Sequence, residues 1–104
     1  MKTIVELSVL ERIADFYFGA ILAHPNTLVV EDAFRYASKV YSDLMKMCGQ
    51  FTLPRVPRIK QWRDAGYLEL FSIKTEWCFG YRIEILGNEP IRHIYVCEKS
   101  ENIR

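Results

Sequence analysis

Hydrophobic and polar positions change period twice along this chain. Residues 2 to 7 (Lys-Thr-Ile-Val-Glu-Leu) are rich in β-branched side chains and predict a short strand. Leu10, Ile13, Phe16 or Tyr17, Ala20 and Ile21 then recur at helical spacing, which predicts a helix from Val9 to Ala23. Ser8 and Glu11 have the spacing of a capping box at its start. His24-Pro25-Asn26-Thr27 reads as a turn, because Pro25 disfavours helical backbone at His24 and Asn26 or Thr27 can cap a second helix. A second apolar stripe of Val29, Ala33, Tyr36 or Ala37, Val40, Leu44 and Met47 or Cys48 predicts that helix from Leu28 to Cys48. Glu31 and Asp32 suit its N-terminal end, Lys46 suits its C-terminal end, and Gly49 suits a left-handed stop. Two helices joined by a short turn form an αα-hairpin.

Residues 49–66 show no clear period and contain Pro54 and Pro57, so a connecting loop is expected, with a short helical turn near Gln61-Trp62-Arg63. Beyond Gly66 the period becomes two. Tyr67–Lys74, Trp77–Leu86 and Ile91–Glu98 read as three strands, with turns at Thr75-Glu76 and Gly87-Asn88-Glu89-Pro90. The expected architecture is one α+β domain over residues 1–104: an N-terminal strand, an αα-hairpin and a three-stranded antiparallel meander. Alternation puts Leu68, Leu70, Phe79, Tyr81, Ile83, Ile85, Ile94 and Val96 on the face covered by helices. The opposite face would carry Glu69, Phe71, Arg82, Glu84, His93, Tyr95, Cys97 and Lys99, a mixture of charges and aromatics. Trp62 is expected to cap the edge of the core beneath the loop.

Composition narrows the class of protein. Of 104 residues, 50% are hydrophobic and 13% aromatic, enough for one core and too few residues for two domains. The longest nearly uncharged stretch, Phe16 to Val30, holds fifteen residues including His24 and Pro25, too short to span a bilayer. The first residues carry Glu6 where a secretory signal would be apolar, so a cytoplasmic location is expected, without membrane association. Cys48, Cys78 and Cys97 lack a C-x-x-C spacing and sit among apolar neighbours, which suits buried free thiols. With only His24 and His93 to add, no metal site or cofactor is expected. The net charge of +1 does not announce a nucleic-acid partner, but Arg55, Arg58, Lys60 and Arg63 fall within nine residues that contain no acid.

The order of strand, helical hairpin and meander resembles that of the RelE/ParE superfamily of bacterial toxins, and local stretches bring it nearest to HigB-like, phage-derived members. Arg58-Ile59-Lys60-Gln61-Trp62 followed by Gly66-Tyr67-Leu68-Glu69-Leu70-Phe71 resembles the segment K-x-L…G-L-Y-E-L-R. Tyr81-Arg82-Ile83-Glu84 is similar to their R-I-x-Y strand, and Ile94 to Ser100 is similar to a final strand running into K-K-S. The resemblance implies the toxin component of a type II toxin–antitoxin system, with a cognate antitoxin protein as partner and ribosome-dependent cleavage of mRNA. It implies Arg82 as the phosphate-binding and transition-state group, Lys99 as charge at the rim, and His93 or Tyr95 in proton transfer or base stacking. Glu69 would orient Arg82 or act as a base. Arg55, Arg58, Lys60 and Arg63 would contact RNA through its phosphates. Phe71 stands where the pattern has arginine, and Glu98-Lys99 stands in place of the doubled lysine. These departures imply a weakened centre or, alternatively, a non-enzymatic ParE-like or degenerate protein-binding module on the same fold.

Overall fold

A computed structural model of the chain describes residues 1–50 and 53–103. The elements, in chain order, are β1 (Lys2–Val5), α1 (Leu7–Ala23), α2 (Val30–Cys48), α3 (Lys60–Asp64), β2 (Leu68–Phe71), β3 (Trp77–Leu86) and β4 (Glu89–Lys99). A single 3-10 turn comes last, at Ser100–Asn102. The fold is α+β, as the change of period predicts. β2, β3 and β4 form an antiparallel meander, and β1 adds to β4 in parallel, giving a mixed sheet in the order β1-β4-β3-β2. The parallel pairing needs the long excursion through the helical hairpin, because parallel neighbours cannot be joined by a tight turn.

Helix boundaries differ from the sequence expectation for identifiable reasons. The backbone N–H of Glu6 donates to the Ile94 carbonyl at 3.0 Å, so the β1–β4 pairing runs straight into α1. Glu6 is therefore the N-cap, and Ser8 lies inside the first turn rather than capping it. α2 begins at Val30, where the Asp32 carboxylate accepts a 2.9 Å bond from the Val29 N–H; Val29 is the N-cap, so neither Asn26 nor Thr27 caps this helix as expected. Gly49 ends α2 with right-handed backbone (φ −82°), not the left-handed stop. β2 stops at Phe71, four residues long, because Ser72 turns the chain: its N–H donates to the Trp77 carbonyl and its hydroxyl accepts from the Thr75 N–H. Glu76 closes that turn at φ 61°, an uncommon conformation for a residue with a side chain.

The core lies between the helical hairpin and one face of the sheet. Val9 and Ile13 of α1 and Val40 and Leu44 of α2 pack on Leu70, Trp77, Phe79, Tyr81, Ile94 and Cys97. Trp77 is fully buried and its indole N–H donates to the Tyr17 hydroxyl at 3.2 Å, so the polar edge of this large ring is satisfied. The hydrophobic face ends at Tyr81. Ile83 and Ile85, expected in the core, are 45% and 69% exposed, because the β3–β4 hairpin runs on past the helices.

A β-bulge decides which residues of β4 face where. Gly80 pairs with Val96 but Tyr81 pairs with Ile94, so Tyr95 is an extra residue on β4. The alternation changes phase there. Cys97 and Lys99 consequently turn toward the helices: the Cys97 thiol lies 3.5 Å from the Val9 carbonyl, and Lys99 Nζ lies 6.0 Å from the Phe16 ring centroid. Val96 turns to the other face, against Gly80 and Trp62 of α3. These three positions reverse the faces expected from strict alternation.

Candidate functional site

The loop before β2 divides the second face of the sheet into two regions. α3 lays Trp62 over Gly80, where a Cβ would stand 2.6 Å from Val96 Cγ2 and 3.2 Å from Trp62 Cε3. Only glycine admits this contact, and Trp62 is left 8% exposed over that half of the sheet. The other half stays open, and it carries Arg82, Glu84, His93 and Tyr95, with Tyr67 and Glu6 at its borders.

His93 is the centre of this open region. Arg82 and His93 are directly opposed across the β3–β4 ladder. The bulge sets Tyr95 beside His93 with ring centroids 4.0 Å apart and planes within 11°. Tyr67 continues the row, 5.6 Å from Tyr95 and within 18° of parallel. The Arg82 guanidinium lies over Tyr67 (4.8 Å) and Tyr95 (5.6 Å), and one of its nitrogens donates to the Ala65 carbonyl. A guanidinium stacked in this way is held in place while further donors remain on the fork.

Two carboxylates complete the cluster. His93 Nε2 is 2.6 Å from Glu6 Oε1, and Nδ1 is 2.9 Å from Glu84 Oε1. Only an imidazolium donates at both nitrogens, so both contacts are hydrogen bonds only when the ring carries its second proton. The Tyr95 hydroxyl donates to the same Glu84 carboxylate, 2.7 Å from either oxygen. That bond, chiefly, pushes the tyrosine up to about 12, since ionising it would set a phenolate against a carboxylate. The arrangement holds a cation for a phosphate oxygen, a ring able to give or take a proton, and a carboxylate within reach of both. Among the described residues no group of three or more His, Cys, Asp or Glu is arranged to hold a metal ion.

Of the residues singled out from sequence, Arg82, His93 and Tyr95 come together here, whereas Glu69 and Lys99 do not. Glu69 is fully buried under the loop, 2.8 Å from Arg55 Nε and 4.0 Å from Arg58 Nε. Lys99 is drawn to the helix side by the phase change. Its ammonium donates to the Thr75 carbonyl at 2.7 Å and lies 3.8 Å from Glu76. The basic run is split as well. Arg55 and Arg58 face Glu69; Lys60 pairs with Asp64 at 2.6 Å; one Arg63 nitrogen donates to the carbonyls of Pro57 and Arg58, each at 2.9 Å. Arg58, Lys60 and Arg63 nevertheless share the wall of a polar hollow of about 500 Å³ with Gln61 and Asn102.

Three members of the open cluster have no role assigned from sequence. Alternation already puts Glu84 on this face, but strand parity alone gives it no chemistry. Glu6 enters through the parallel pairing of β1 with β4 and leaves no signal in local pattern, whereas Tyr67 shares the parity of Glu69 and Phe71 and joins the cluster through its stack on Tyr95. The thiols lie apart from the cluster. Burial pushes Cys97 up to about 12, and burial together with the nearby Glu69 charge raises Cys78. Compared with known protein families, characterised proteins and solved structures, the chain matches none. No helix among the described residues is long and apolar enough to cross a membrane.

Proposed function

We propose that this chain is a ribosome-associated mRNA endoribonuclease of the RelE/HigB kind with a weakened centre, the toxin of a pair whose antitoxin protein restrains it. The observation that supports this reading best is the convergence of Arg82, His93 and Tyr95 beside Glu84 on the open half of the sheet. RNA carries its own nucleophile in the 2′-hydroxyl, so strand cleavage requires proton transfer and charge stabilisation rather than a cofactor. Glu84 would take the 2′-hydroxyl proton as that oxygen attacks phosphorus. His93, as imidazolium, would protonate the departing 5′-oxygen, leaving a 2′,3′-cyclic phosphate and a 5′-hydroxyl. Arg82 would hold the non-bridging oxygens as their charge grows. The exposed edge of the Tyr67–Tyr95–His93 row offers apolar contact to a base.

A second reading is a protein-binding module on the same fold. The pairing of His93 with two acids favours it, because Glu6 and Glu84 repel a phosphate brought to Arg82. Regulated expression of the wild type and Arg82→Ala, with growth and mRNA integrity followed together, separates the two. Growth arrest with mRNA cleavage, both relieved in Arg82→Ala, supports the ribonuclease. Arrest with intact mRNA that survives the substitution supports the binding module, and harmless wild-type expression removes the toxin reading altogether.

A further inference from the structure

Glu69 is a buried acid for which the open cluster has no use. It sits mid-strand in β2 with 0% exposure, on the face opposite the main core. Among the described residues neither carboxylate oxygen accepts a well-aligned hydrogen bond. Its compensation is ionic: the Arg55 guanidinium at 2.8 Å and, further off at 4.0 Å, that of Arg58. A buried carboxylate without a partner is strongly destabilising, and one guanidinium would suffice to neutralise it. Two are present, which leaves an excess of one positive charge.

Both arginines are fixed while still reaching solvent. The Glu69 N–H donates to the Arg55 carbonyl at 2.9 Å, so Arg55 is bridged to the edge of β2. Arg58 Nη2 lies 2.9 Å from the Cys78 sulfur, and the Arg58 carbonyl is held by Arg63. The two guanidiniums lie 5.4 and 5.5 Å from the centroid of the Phe71 ring, an aromatic seat for both. Their side chains are 45% and 43% exposed. Phe71 thus takes no charge to this edge of the sheet itself, but two cations rest on it.

We propose that Arg55 and Arg58 form an oxyanion-binding site for a phosphate group, with Glu69 as the positioning residue beneath them and Phe71 as their seat. Guanidinium forks match the spacing of phosphate oxygens, and a pair anchored from below loses little side-chain freedom when it binds. The site is distinct from the open cluster: Cys78 is four residues from Arg82 along β3, roughly 13 Å. On the ribonuclease reading, its ligand is a backbone phosphodiester of the bound strand, away from the bond that is cut. The identification of the ligand as RNA rests on that reading; the affinity for an oxyanion does not.

The test is a titration of the full chain, isotopically labelled, with inorganic phosphate and separately with a short oligoribonucleotide at fixed ionic strength. The arginine Nε–H resonances are followed by NMR. Saturable shifts of Arg55 and Arg58 are expected, with affinity falling about tenfold in Arg55→Ala or Arg58→Ala. Glu69→Gln adds positive charge, so electrostatics alone predicts tighter binding, whereas loss of positioning predicts weaker binding. Weaker binding is expected, and Arg55→Lys and Arg58→Lys, which keep the charge but not the fork, are expected to bind weakly too. Saturation by the oligonucleotide alone identifies a backbone site, and saturation by inorganic phosphate identifies a free-phosphate site; either supports the oxyanion chemistry. Absence of saturable shifts with both probes, or affinity unchanged in both alanine variants, overturns it. A chain that binds but never cuts RNA refutes the proposed activity only, and a chain that cuts RNA without these shifts refutes this site only.

Discussion

The Tyr95 hydroxyl donates to the Glu84 carboxylate at 2.7 Å, and this one bond ties the bulge of β4 to the middle of β3. It holds the tyrosine in its neutral form up to about pH 12, against an ordinary value of 10. A raised value in the folded state means that the contribution to stability is complete below about pH 10 and is lost as pH rises through about 12. Glu84→Gln should therefore lower the Tyr95 ionisation toward the ordinary value. Ultraviolet absorbance titration against a Tyr95→Phe reference reads this directly. An ionisation that stays near 12 in Glu84→Gln would show that Glu84 is not the cause.

Gly80 is a packing prediction. Gly80→Ala places a Cβ against Val96 and Trp62 and should cost about 1–3 kcal/mol of stability in urea unfolding. Val96→Ala in the same chain should recover part of that loss, because the nearest clash is with a Val96 methyl. Additive effects of the two substitutions would contradict the contact.

Lys99 should matter for stability rather than chemistry. Its side chain is 15% exposed, covers Phe16 and donates to the Thr75 carbonyl. Lys99→Ala is expected to cost about 1.5–3 kcal/mol, the range for a hydrogen bond made by a charged group. Thermal unfolding measures the first effect, and RNA cleavage under the same conditions should remain within a few-fold of the wild type. A variant as stable as the wild type but unable to cut RNA would reverse this assignment.

Thiol reactivity should divide the three cysteines. Cys78 and Cys97 are buried, and burial raises both thiols, whereas Cys48 is half-buried at the end of α2. Brief alkylation of the native chain should modify Cys48 first, with mass spectrometry of peptides as the readout. Early modification of Cys97 would contradict its place against Val9.

Much of the fold is legible in the chain, because amphipathic period is a local property. The helical stripes around Ile13 and Val40, the alternation of Leu70, Phe79 and Tyr81, and the short helix at Trp62 all arise from side chains a few residues apart. Arg82, His93 and Tyr95 share the open face, as strand parity indicated, although the bulge and not strict alternation is what sets Tyr95 beside His93. Three features depend on chain segments distant in sequence. The parallel pairing of β1 brings Glu6 to His93; the bulge at Tyr95 turns Lys99 to the helices; and the loop carrying Arg55 and Arg58 closes over Glu69. A residue's own neighbours determine whether it lies on a helix or a strand. Which charge it meets, and whether it reaches water, is decided by how the elements pack, and that separates Glu69 and Lys99 from the open cluster while gathering Glu6, Glu84 and His93 into it.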